Sequence, residues 1–224
     1  ASNVSGTIQP IAEIGAICRR HGALFAVDSA QAAGHFLFNM QALQVDAMCF
    51  TGHKGLLGPS GIGGFVMNEA MNKALTPLIA GGTGSISASL EMPPTLPDRY
   101  EAGTPNLPGI MGLGVALRYL MEVGPDALHK REMALTNRFL DGLHGNSHIR
   151  VPGPVDAKGR VGVISVDFLR QDNAEVAFQL EEQYGILTRC GLHCAPLAHK
   201  TLGTYPEGTV RFSVGYTTTE DEVD

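Results

Sequence analysis

The 224-residue chain has no basic run, and its 16 Lys and Arg are outnumbered by 22 Asp and Glu, for a net charge of −6. Nucleic acid and anionic membranes are therefore poor partner classes, because both are bound through clustered cations. No apolar stretch approaches the length that spans a bilayer, and no signal peptide opens the chain. Cysteine is sparse, with only Cys18, Cys49, Cys190 and Cys194. Without a secretory signal these four do not argue for a disulfide framework, and a reducing cytoplasm is the expected compartment. Cys18 falls on an apolar helix face and Cys49 in an apolar strand, so both are expected to be inert core residues. No internal repeat or low-complexity segment is present.

What is present is a regular alternation. Pro10 suits a first helical turn, and Ile11, Ile14, Ile17 and Cys18 follow at helical spacing up to His21-Gly22. ALFAV (23–27), DAMCF (46–50) and GIGGFVMN (61–68) read as short strands of buried type, with a brief helical piece at QAL (41–43). Strands separated by helices predict an α/β domain with a mostly parallel sheet flanked by helices. Residues 76–106 are rich in Gly, Pro, Ser and Thr, a long excursion of the kind that often carries function. Helices are expected over 107–123 and 126–143, with a break at Gly124-Pro125. Beyond it, VGVISVDF (161–168), GILTR (185–189) and GTVRFSVG (208–215) read as strands, and NAEVAFQLEEQY (173–184) as an amphipathic helix. This predicts a larger domain over 1–124 and a smaller α+β domain over 125–224. The chain opens on ASNVSGT, without an initiator methionine. It stops at TTTEDEVD, where Thr219 suits the cap of a helix beginning with Glu220, Asp221 and Glu222. It reads as cut from something longer.

Polar clusters follow two apolar strands: Asp28-Ser29-Ala30-Gln31 after ALFAV and Thr51-Gly52-His53-Lys54 after DAMCF. Asn3 lies in the opening loop. Ligands of open α/β sheets bind outside the carboxyl ends of the strands. A lysine in a partly desolvated site there becomes a usable amine nucleophile and forms Schiff bases with carbonyl compounds, pyridoxal phosphate among them. That cofactor needs a carboxylate beside its ring nitrogen, a place Asp28 suits. Its phosphate needs hydroxyls and N–H groups, which Thr51, His53 and the neighbouring glycines can supply. A lone Asp at a strand end is ordinarily a turn residue or cap, and a lone Lys in a Gly-rich loop is ordinarily solvated. The ordered pair, each after a strand, favours the chemical reading, but spacing alone does not name the cofactor.

VDSAQ followed by FTGHKGLLGPSGIGG resembles the fold-type I pyridoxal phosphate enzymes of the class V aminotransferase superfamily. The resemblance continues through YEAGTPN (100–106), RCGLHCAP (189–196) and GTVRFSVGYTTTEDEVD (208–224). The arginine, glycine and H-C-A of RCGLHCA are most similar to group II cysteine desulfurases and selenocysteine lyases. The resemblance implies that Lys54 is the Schiff-base lysine and Asp28 the pyridinium partner. Gln31 and Asn3 would contact the ring-hydroxyl side of the cofactor, and Thr51 and His53 its phosphate. Thr104 would reach the phosphate of a partner subunit, which implies a homodimer with shared active sites. Arg211 would grip the substrate carboxylate, in keeping with bidentate arginine chemistry.

By the same resemblance, Cys194 would take the sulfur of L-cysteine as a persulfide for a sulfur-acceptor protein. The alternatives are a selenocysteine lyase, whose activity need not depend equally on Cys194, and another class V aminotransferase or lyase reaction; a transaminase would not need that thiol. Arg189 and His193 are expected to supply the positive field that a reactive thiolate needs. A metal pair of Cys190 and Cys194 with His193 and His199 is the competing reading, though zinc sites more often use shorter cysteine spacings. Cys190 is either a bystander or a disulfide partner of Cys194. Members of this family run longer at the N-terminus, where a ring-stacking residue and a Gly-rich phosphate-binding helix start are expected. Neither precedes Asn3, so the chain is expected to be a piece of such an enzyme, or a truncated piece inactive on its own.

Overall fold

The computed structural model describes residues 1–224 and contains an α/β arrangement in two compact units. One unit comprises Ile11–Asp28 and Phe38–Tyr119; the other comprises Ala1–Pro10, Ser29–Leu37 and Leu120–Asp224. No helix is long and apolar enough to cross a membrane.

In the first unit, helix α1 (Ile11–Arg20) ends with Arg19 and Arg20 in its last turn, where cations suit the carbonyl end of the helix dipole. Three strands follow, β1 (Ala26–Asp28), β2 (Ala47–Thr51) and β3 (Gly63–Met67), in the spatial order β1-β2-β3. β1 and β2 are parallel, with Asp28 level with Cys49. β3 runs antiparallel to β2, so the sheet is mixed rather than mostly parallel. The reason lies in the connection: residues 52–62 form a loop with no crossover helix, and a parallel partner would need one. Gly64 lies opposite Phe50, and a Cβ there would stand 2.8 Å from the Phe50 ring.

Buried Asp46 pins these strands in place. It accepts from the Phe25 backbone N–H at 2.8 Å and from Asn68 Nδ2 at 2.6 Å. Asn68 in turn caps α2 (Glu69–Ala74) by accepting from the Met71 N–H. The Leu107–Tyr119 part of α3 (Leu107–Val123) belongs to this unit, and its Leu113 side chain lies over Gly52 and Gly58. QAL lies in a hydrogen-bonded turn, not a helix, with Gln44 at φ 56°. The strands are less buried than expected: Phe65 and Val66, neighbours on β3 and so on opposite faces of the sheet, are 44% and 55% exposed. Cys49 is likewise exposed and Cys18 only half-buried, so neither is the enclosed core residue expected.

The second unit begins with α4 (Pro125–Leu143), whose Pro125 occupies the first turn. Then come β4 (Ile149–Arg150), β5 (Val163–Phe168), α5 (Asn173–Tyr184), β6 (Arg189–Gly191), α6 (Pro196–Leu202), β7 (Thr209–Ser213) and α7 (Glu220–Val223). The sheet has the order β4-β5-β7-β6, antiparallel throughout. Leu135 and Leu140 of α4 pack on Ile164, Val166 and Val214, with Phe139 tilted against Phe212 at 4.9 Å. Residues 1–10 join this core: Ser165 Oγ donates to the Val4 carbonyl at 2.7 Å, and Thr7 bridges to Arg160.

GILTR is not a strand over its whole length. Gly185 takes φ 67° to cap α5 and the Ile186 N–H returns to the Leu180 carbonyl, so pairing starts only at Arg189.

Candidate active site

The first unit gathers a carboxylate, a hydroxyl, an imidazole and an amine at the carboxyl ends of two adjacent parallel strands. Asp28 ends β1 and Thr51 ends β2. Thr51 Oγ1 and His53 Nδ1 share a hydrogen bond of 2.9 Å. Lys54 follows in the β2–β3 loop, which is folded tightly: the Gly52 N–H donates to the Ile62 carbonyl at 2.9 Å, and the Gly58 N–H to the Gly52 carbonyl at 2.7 Å. Gly52 is buried, and a Cβ there would lie 2.8 Å from the Ile62 side chain. Asp28, His53 and Lys54 are exposed and Thr51 half-buried. Lys54 therefore does not sit in the desolvated setting expected from the sequence. Thr104 is exposed on the loop after a short 3-10 turn at Asp98–Tyr100.

The donor set of this unit fits a phosphorylated pyridine aldehyde. It offers an accessible amine, a carboxylate for a protonated ring nitrogen, and a hydroxyl–imidazole pair with nearby backbone N–H groups for a phosphate.

The second unit holds the other candidates. Gln31 is half-buried in the turn from Ser29, whose carbonyl accepts from the Ala32 and Ala33 N–H groups at 2.8 Å. Arg211 lies on β7 directly opposite Arg189 of β6. Arg211 Nη1 donates to the Asn3 carbonyl at 3.1 Å, and Asn3 Nδ2 donates to the His193 carbonyl at 2.5 Å. Asn3, Arg211 and the His193–Cys194 segment thus form one connected group. Cys194 is exposed. Burial first, then Arg189, push the Arg211 guanidinium below its ordinary value, while the Cys194 side chain acts in the opposite sense.

His193 does not supply the positive field expected of it. Burial first, then Arg211 and His199, push its imidazole down to about 4, so it is neutral near neutral pH. Its Nε2 shares a 3.1 Å hydrogen bond with Thr209 Oγ1, and its ring lies 5.5 Å from that of His199. His199 is fully buried, and its imidazole is also lowered by burial. Cys190 alternates with Arg189 along β6 and so takes the opposite sheet face, toward α5. Its thiol is pushed up by burial and then by Asp172, the N-cap of that helix. This placement turns Cys190 away from the Arg211 face.

Sequence reasoning did not pick out Thr209. A threonine opening a strand carries no motif, and only the three-dimensional pairing with His193 reveals it.

One unit thus carries an amine, a carboxylate and a hydroxyl at the strand ends of an α/β sheet, and the other an antiparallel sheet with an arginine pair and an exposed thiol. The chain belongs to the aminotransferase class-V family, whose model matches residues 1–224. It is similar to a probable cysteine desulfurase of Methanothermobacter thermautotrophicus, 35% identical over 225 residues, which cover 99% of this chain and 56% of that protein. It is 37% identical to a cysteine desulfurase of Salmonella choleraesuis over 226 residues, all of this chain and 54% of that protein. Among solved structures, an apo cysteine desulfurase from Thermococcus onnurineus NA1 superposes with a TM-score of 0.91 at 36% identity. That match covers 100% of this chain and 55% of the other. The chain thus spans about half the length of the relatives it matches.

Proposed function

We propose that this chain is the lysine- and thiol-bearing part of a pyridoxal phosphate-dependent cysteine desulfurase, working on L-cysteine or selenocysteine. The observation that carries the reading is the exposed Cys194 directly after His193, whose carbonyl is joined through Asn3 to Arg211. A transaminase has no use for such a thiol. The names of the relatives support the same reaction.

When bound, the cofactor supplies the electron sink that lets bonds to a substrate amino acid break. Lys54 would hold it through its amine, and the same amine is placed to hold and move a proton. Asp28 keeps a proton on the ring nitrogen by charge. Thr51 and His53 hold the phosphate, Asn3 and Gln31 orient the ring-hydroxyl side, and Arg211 grips the substrate carboxylate. The Cys194 thiolate attacks the substrate sulfur. The new S–S bond forms as the C–S bond breaks, leaving a persulfide on Cys194, and the substrate carbon keeps the electron pair and takes up a proton as alanine. In this reading Thr104 serves the phosphate of a second subunit in a homodimer, and the persulfide passes to an acceptor protein in the cytoplasm. Residues 1–124 then form the cofactor-binding domain and 125–224 the smaller domain.

The test is to incubate the chain with pyridoxal phosphate, reduce with borohydride, and map the modified peptide. Label on Lys54, followed by one added sulfur atom on Cys194 after L-cysteine, supports the reading. Label scattered over other lysines, or sulfide release undiminished in Cys194→Ala, overturns it.

A further inference from the structure

His193 and Cys194 both occupy the left-handed region, at φ 48° and 61°. Among the four non-glycine residues with positive φ, they are the only adjacent pair. Such a backbone persists only where its surroundings over-determine it. The surroundings here are specific. The His193 carbonyl accepts from Asn3 Nδ2 at 2.5 Å on one side. The His193 ring meets Thr209 Oγ1 at 3.1 Å on the other, and Thr209 is fully buried. Thr209 stands two residues before Arg211 on the same strand, opposite Gly191 in the register. Side chains two apart on a strand share a face. Asn3 is itself held by Arg211 through its own carbonyl. Both supports of His193 are thus tied to the strand that carries Arg211.

We infer that Thr209 and Asn3 are positioning residues that grip His193 from two sides and so present the Cys194 thiol, exposed, beside Arg211. The neutral state of His193 fits this role, since one ring nitrogen has to serve the hydroxyl of Thr209 and no charge has to be buried. Loss of the hydroxyl releases the ring, lets the dipeptide relax toward extended φ, and carries the thiol away from the guanidinium. The inference rests on the reading of Cys194 as the sulfur-accepting thiol. Its test reads thiol reactivity without turnover, so the two fail separately.

The chain is alkylated in parallel with neutral iodoacetamide and anionic iodoacetate, and modification is quantified by peptide mapping. The exposed Cys49 serves as internal reference. A thiol beside an arginine favours the anionic reagent. Thr209→Val, which keeps shape and loses the hydroxyl, is expected to lower the iodoacetate-to-iodoacetamide ratio at Cys194 by about threefold or more relative to Cys49. Thr209→Ser is expected to restore it. A wild-type ratio in Thr209→Val, or no recovery in Thr209→Ser, overturns the inference. Should Thr209→Val lose its cooperative melt, Asn3→Ala decides the matter by the same ratio: the same fall supports the inference, and an unchanged ratio overturns it.

Discussion

Arg189 and Arg211 stand directly opposite each other across β6 and β7, and neither forms an ion pair with a carboxylate. Like charges in cross-strand register repel, and burial of Arg211 sharpens the cost. The fold tolerates an arrangement that favours an anion. Replacing one charge separates the two roles. Arg189→Gln is expected to stabilise the folded chain by about 0.5 kcal/mol, read from the urea midpoint. Arg211→Lys keeps the charge but loses the planar fork. Under the proposed function, Arg211→Lys in the full-length protein is expected to raise KM for L-cysteine about tenfold or more while changing kcat less. An Arg211→Lys enzyme with unchanged KM would remove the carboxylate role.

Glu132 of α4 is 5% exposed and makes three contacts: the Gly162 N–H at 2.6 Å and His35 Nδ1 at 3.0 and 2.8 Å. It joins the helix to the strand edge and to the 29–37 segment that carries Gln31. Removing one partner leaves the other buried without compensation. Glu132→Ala is expected to cost about 3 kcal/mol, measured by urea unfolding. Glu132→Gln, which keeps an acceptor for the Gly162 N–H, should cost clearly less. Equal losses would mean that cavity formation, not polar pairing, sets the penalty.

Acid should weaken the second unit. A histidine binds its proton at about 6.5 when unfolded, whereas folded His193 holds it at about 4. Between those values the unfolded chain binds more protons than the folded one. Stability contributed by this group is therefore complete above about 6.5 and is lost as pH falls toward 4. His199, lowered by burial, acts in the same direction. Thermal midpoints at pH 7.5 and at pH 5, compared between the native chain and His193→Asn, check this. The drop should be smaller in the variant, and an equal drop would assign the acid sensitivity to other groups.

Local chemistry was legible in the sequence wherever a residue acts on its own neighbours. Thr219 forms the expected cap, accepting from the Glu222 N–H while the Glu222 carboxylate accepts from the Thr219 N–H. The strand ends that place Asp28 and Thr51 were legible too, because a short apolar run followed by polar residues is a local signal. The direction of β3 was not. Apolar content says a strand exists but not which way it pairs, and only the absent crossover after Lys54 settles it. GILTR misled for a related reason: its Gly185 belongs to the helix cap, and β-branched content cannot register that. The neutrality of His193 was equally hidden, since its burial and the Arg211 and His199 that also push its imidazole down are brought to it only by the fold.

The Lys54 loop gives the sharpest link between backbone and chemistry. Gly52 has no room for a side chain, since a Cβ would lie 2.8 Å from Ile62 Cγ2 and 3.0 Å from the Ile62 carbonyl oxygen. The same Gly52 closes the loop through its N–H to Ile62 and its carbonyl from Gly58. Gly52→Ala therefore has to push β2 and β3 apart at the point where Lys54 emerges. The expected cost is about 2 kcal/mol, typical of overpacking a closed site. Phosphopyridoxyl labelling of Lys54 after borohydride should fall with it, since the amine loses its place relative to Asp28 and Thr51. Gly82→Ala is the matched control: nothing lies within 4 Å of its Cβ position, so stability and Lys54 labelling should both hold. If Gly52→Ala lowers stability but leaves labelling at Lys54 intact, the loop's closure serves the fold alone and the amine does not depend on it.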